Sequence, residues 1–101
     1  MGLEYAIEEL YATGWSALDT RGCDHDGNGR PYPQPVRVRD EFAAAGYDLE
    51  ITHVQLFDCY RAEWRDRTTG SASGAVVGHA EEEAAVFALS QLRRHLSGVG
   101  V

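Results

Sequence analysis

The spacing of apolar residues changes twice along the chain, and this change of period restricts it to a mixed α and β architecture. Between Leu3 and Trp15, the residues Leu3, Ala6, Ile7, Leu10, Tyr11 and Trp15 recur three and four apart, which lays them along one helical face. After Gly46 the period drops to two. Over Cys59–Arg67 the side chains Tyr60, Ala62 and Trp64 alternate with Arg61, Glu63 and Arg65, the pattern of a strand with one buried and one wet face. Past Gly78 the longer period returns through Ala85, Ala88, Leu89, Leu92 and Leu96.

These periods predict an N-terminal helix within residues 1–18, with Gly14 as its cap, followed by a Gly/Pro-rich loop over 19–35. The loop assignment rests on Gly22, Gly27, Gly29, Pro31, Pro33 and Pro35, which oppose regular structure through a free or locked φ. A second helix is expected from Val36 to Ala45, started by Pro35, stopped by Gly46 and burying Val38, Phe42 and Ala45. Strands are expected over Tyr47–Phe57, with a bulge near Thr52 and His53, over Cys59–Arg67, and over Ala75–Val77. The last helix spans His79–Leu96 and is capped by Gly98. Glu81, Glu82 and Glu83 lie at its positive end and point outward, while Arg93, Arg94 and His95 lie at its negative end. The fold class is therefore α+β. The domain is single, with residues 36–97 forming an α-β-β-β-α core whose sheet is covered by the last helix.

With 101 residues there is room for one hydrophobic core. The net charge of −7 disfavours nucleic acid and anionic membrane as partners, because both repel an acidic surface. All nine basic side chains are Arg. No apolar run approaches the roughly 18 residues of a membrane span. Glu4, Glu8 and Glu9 are foreign to a secretion signal, which points to the cytoplasm, with Cys23 and Cys59 kept as thiols.

From Val36 to Leu96 the order helix–strand–strand–strand–helix resembles the double-stranded-RNA-binding-domain-like fold, with Val77-Gly78 leading into the alanine-rich HAEEEAAVFALSQL. The same stretch is similar to the phage-type α/β/α sandwich domain. The first resemblance implies a nucleic-acid-binding protein that grips phosphate with a basic start to its last helix. Glu81, Glu82 and Glu83 occupy those places here, so the RNA-binding residues are not matched.

Asp24, Asp26 and Asn28 place oxygen ligands two residues apart ahead of Gly29, as in the first half of a calcium loop. Pro35 stands where the second half needs a bidentate Glu. The competing reading is that Asp, Asn and Gly gather because they make turns. Cys23, His25, His53, Cys59 and His79 could in principle supply zinc ligands, but no Cys-x-x-Cys pair sets their spacing. Arg61 and Arg65 could line an anion groove, or could belong to a solvated strand face with cross-strand ion pairs, for example to Glu50. Residues 36–78 hold five Arg against seven acids, which favours the solvated face.

No catalytic motif is found, and neither an enzyme activity nor a cofactor is expected. The expected role is a protein-interaction or accessory module, as a monomer or homodimer. It would act through the first helix (Tyr11 and Trp15), the 19–35 loop, the edge of the meander, or Arg61 and Arg65. Nucleic-acid binding through the fold and weak divalent-metal binding through the 24–29 loop are the alternatives.

Overall fold

Pro35 sits at the first position of helix α2 (Pro35–Ala44), where its missing N–H costs nothing and its φ suits the helix. A computed structural model of the protein describes residues 2–16 and 20–96. Within them helix α1 (Leu3–Ala12) precedes a small antiparallel hairpin of β1 (Cys23–His25) and β2 (Pro31–Pro33). Helix α2 follows, then a three-stranded antiparallel sheet of β3 (Tyr47–Val54), β4 (Cys59–Asp66) and β5 (Ala72–Gly78), and finally helix α3 (Glu81–Leu96). The Gly98 cap and the outer ends of the 1–18 and 36–97 spans fall outside the described residues. Gly14 at φ +89° and Gly46 at φ +92° end α1 and α2 as expected, each in the left-handed region that favours glycine.

Strand β4 is the centre of the sheet. Its alternation holds as read: Ala62 and Trp64 are buried and Tyr60 packs against them, while Arg61 and Arg65 lie on the open face. Trp64 packs its ring 5.4 Å from that of Phe42 on α2 and joins Leu89 and Leu92 of α3 in one cluster of buried residues. The stripe on α1 is covered within the chain, because Ala6, Ile7 and Leu10 are buried in the same cluster and α1 packs along α3. Helices α2 and α3 both pack on the sheet, and α3, with α1 on its other side, is buried on almost every side from Glu83 to Leu92. Ser90 tolerates this because its hydroxyl donates to the Phe87 carbonyl at 2.6 Å.

Several expectations need correcting. Part of the 19–35 loop is the β1–β2 hairpin. Gln34 N–H donates to Gly22 O and Asp26 N–H to Arg30 O, so Pro33 and Pro31 fall at the intervening positions, where the ladder asks for no N–H. Strand β3 stops at Val54, and Gln55–Phe57 form a 3-10 turn closed by Asp58 in the left-handed region at φ +47°. The register irregularity lies between β4 and β5 at Trp64/Arg65, not near Thr52. Strand β5 begins at Ala72 because Trp64 requires a small partner: a Cβ on Gly74 would lie 2.4 Å from its indole. Leu96 ends the α3 stripe in solvent, and Glu83 turns inward to accept the His79 N–H at 3.1 Å.

Candidate interaction surface

The turn residues come first, because the sequence singles them out. Asp26 Oδ1 accepts the main-chain N–H groups of Asn28 (2.9 Å) and Arg30 (2.8 Å), and Oδ2 accepts Arg30 Nε at 2.9 Å. Burial pushes the Asp26 pKa up. The Arg30 main-chain and side-chain donors, the Asn28 N–H and the Arg30 charge outweigh it and leave the carboxyl below its ordinary value. The oxygens of Asp26 are thus engaged by the turn they create, and Asp24 Oδ1 accepts the neighbouring His25 N–H at 2.8 Å. Cys23 and His25 lie on this hairpin, whereas His53, Cys59 and His79 lie at the far end of the sheet. Among the described residues no three His, Cys, Asp or Glu groups converge as a metal set would. The two cysteines are not joined to each other.

Tyr11 and Trp15 serve as a clasp. Tyr11 donates its hydroxyl to the Pro31 carbonyl at 2.6 Å under the Arg30 guanidinium, and burial raises its pKa. Trp15 is only 5% exposed. Arg37 stacks 5.6 Å above its ring, pairs with Glu41 at 3.2 Å, and reaches Arg21 O and Cys23 Sγ. This clasp ties the end of α1 and the hairpin to α2 and floors an open cleft of about 710 Å³ between Val36, Asp40 and Arg93. The charges of Arg37 and Glu41 are matched against each other within it.

On the open face of the sheet Arg61 and Arg65 both pair with Glu63, each at 3.2 Å. The partner is therefore a neighbour two residues away on the same strand, in place of Glu50 across the ladder. Arg67 makes a cross-strand pair, to Asp48 at 2.9 Å. Alternating charges on a wet strand satisfy one another, and among the described residues the strands present no aromatic ring on this face for stacking bases.

The edges of the sheets differ from one another. Arg39 on α2 and the side chains of Asp48 and Glu50 surround the outer edge of β3. The hairpin strands have three residues each, and β2 carries two prolines. Strand β5 has none of these guards. Its sequence ASGAVVG is uncharged and free of proline, and among the described residues no strand pairs with its outer side.

The phase of the ladder follows from the Arg67 N–H to Gly46 O bond. This makes Asp48/Arg65, Glu50/Glu63 and Thr52/Arg61 the hydrogen-bonded pairs of β3 with β4. By the same alternation Tyr60/Gly78, Ala62/Val76 and Trp64/Gly74 bond β4 to β5, and Ala75 and Val77 direct their N–H and C=O groups outward. Beside this edge a groove of about 260 Å³ runs between β5 and α3, lined by Trp64, Ser73, Gly74, Val76, Gln91 and His95. The edge of the meander is an expected surface, but nothing in the period of the sequence singles out Ala75 and Val77 within it. The signal for them is the stretch 68–80, thirteen residues without Asp, Glu, Lys or Arg in a chain that is one-quarter charged.

No family model matches the chain, and no curated protein or solved structure matches it.

Proposed function

We propose that this protein is a non-catalytic interaction module that binds an extended segment of polypeptide along the outer edge of β5. The reading is carried by one observation, the unpaired and unguarded edge of β5 beside the groove to α3. Main-chain hydrogen bonds to Ala75 and Val77 supply affinity, and the groove accepts every second side chain of the added strand. The groups with displaced pKa values (Tyr11, Asp26, Arg30 and Tyr32) belong to the hairpin and its packing, which supports a binding role over a catalytic one. We read α2–β3–β4–β5–α3 as a double-stranded-RNA-binding-like arrangement put to this different use, since its last helix starts with three glutamates. A cytoplasmic setting fits that reading. Among the described residues no helix is long and apolar enough to cross a membrane.

The test is a titration of the protein with a synthetic peptide of alternating valine and threonine, followed through backbone amides. The Ala75 and Val77 signals are expected to shift and their hydrogen exchange to slow about tenfold. Those of Leu49 and Ile51 on the guarded edge are expected to stay put. With the protein dilute enough to be monomeric, unchanged Ala75 and Val77 signals at about 1 mM peptide, a concentration that detects weak binding, would overturn the proposal.

A further inference from the structure

The reading of β5 as a strand-accepting edge leaves open which strand it accepts. Resting on that reading, we infer that the occupant is β5 of a second copy of this chain, paired antiparallel about a two-fold axis at Val76. A two-fold contact brings residue i against j and j against i, and because Gly74-Ala75-Val76-Val77-Gly78 reads nearly the same in both directions, every facing pair joins small, uncharged residues. With Val76 opposite its symmetry mate, Ala75 of each copy faces Val77 of the other. These are the two residues whose main-chain groups point outward, so the seam closes two hydrogen-bonded pairs, or about four N–H···O bonds.

The side chains suit the same register. On the helix side the two Val76 residues meet at the axis as a pair that exchanges no main-chain bonds, the closer-packed kind. Gly74 of each copy lies opposite Gly78 of the other and adds no bulk where Trp64 and the start of α3 already crowd the backbone. On the open face Val77, 55% exposed in the single chain, is covered by Ala75 of the other copy. The groove between β5 and α3 lies along the seam on this side.

Charge does not prevent the contact, although each copy carries −7. The two central strands have no charged side chain. The nearest open-face charges in one row are Glu63 of one copy and Arg61 of the other, three strand spacings or about 14 Å apart, beyond the Debye length of about 8 Å in physiological salt.

Sedimentation of the full chain over increasing concentration tests the inference, with Ala75→Pro, Val77→Lys and, on the opposite edge, Thr52→Lys as variants. A monomer–dimer equilibrium is expected. Its dissociation constant should rise about tenfold or more in Ala75→Pro, which removes an outward N–H, and in Val77→Lys, which brings two charges into the seam. Thr52→Lys should leave it within about twofold. Near-ultraviolet circular dichroism from the tryptophans verifies folding, and Val77→Lys decides alone if the proline variant does not fold. A wild-type chain that stays at 11.1 kDa up to about 1 mM overturns self-pairing, as does a dimer that Val77→Lys leaves intact. In the monomeric case the peptide titration still separates the two proposals. Shifts at Ala75 and Val77 preserve the accepting edge with a different strand, and their absence removes both.

Discussion

Asp26 shows how one side chain can order a turn in a stretch whose composition looks unstructured. Its carboxylate takes two main-chain donors and one guanidinium, which closes the hairpin turn and holds Arg30 over Tyr11. Since its pKa is lower in the folded protein than the ordinary 3.8, the charged form contributes stability above about pH 4. That contribution disappears as the pH falls below 4 through the folded value. Asp26→Asn lacks the charged acceptor at every pH. The stability difference between wild type and Asp26→Asn, from urea titrations, is therefore expected to be full at pH 6 and to shrink progressively below pH 4. A difference that stays constant down to pH 2 would show that the carboxylate is not held in this way. The Asp-Gly-Asn-Gly string already signals a hairpin turn. The strands on either side of that turn are hidden in the sequence, because three prolines so close together argue against strands. Pro31 and Pro33 are tolerated because they land at positions where the ladder needs no N–H, and that is a property of the register, which composition does not reveal.

At the scale of elements, helix α3 contradicts the simplest view of its acidic start. Three glutamates at a helix N-terminus suit the dipole equally well on paper, yet they do different things. Glu81 is exposed and sits 3.8 Å from Arg39, a solvent-screened pair, whereas Glu83 is 7% exposed and reaches back to the His79 N–H. Glu83→Ala frees that donor where the chain leaves β5. It is expected to cost about 1 kcal/mol, within the range for lost caps, while Glu81→Ala should stay within about 0.5 kcal/mol. Chemical denaturation of the two variants measures both. Equal effects would mean that the dipole alone, and not the reach-back contact, is what the acidic start provides. Helix positions and the alternation along β4 were legible because periodicity reports directly which face is buried. The extent of β5 was not. Ser73 and Gly74 have poor strand propensity. Gly74 pairs with Trp64 because the indole needs an empty place opposite it, Ser73 is the residue passed over where the register shifts, and at Gly78 a Cβ would lie 2.7 Å from the Ala84 nitrogen. Packing across the sheet, invisible along the chain, sets those boundaries.

For the whole molecule, the question is whether α1 and the hairpin form a separate layer or belong to the same cooperative unit as the sheet. One cluster of buried side chains runs from Ile7 and Leu10 through Phe42 and Leu89 to Trp64, and α1 is tied to α3 by the Arg94–Glu9 pair and by Arg93 Nε donating to Thr13 at 2.9 Å. The two tryptophans stand in different parts of this cluster: Trp15 after α1, stacked under Arg37, and Trp64 on the central strand against Phe42. Trp64→Phe and Trp15→Phe therefore leave one local fluorophore each. If the core is continuous, thermal unfolding seen by either remaining tryptophan coincides with loss of helical circular dichroism in the same variant. Adding Leu10→Ala, far from Trp64 in sequence, removes a fully buried side chain and costs about 2–5 kcal/mol. At roughly 4–8 °C per kcal/mol for a chain of this size, both fluorophores should report midpoints lower by about 10 °C or more. A Trp64 transition that ignores Leu10→Ala would divide the molecule into two units. It would also return the stripe on α1 to the pool of surfaces open to a partner, because only a continuous core commits Ile7 and Leu10 to the interior and leaves the edge of β5, among the described residues, as the strand edge without charge or proline.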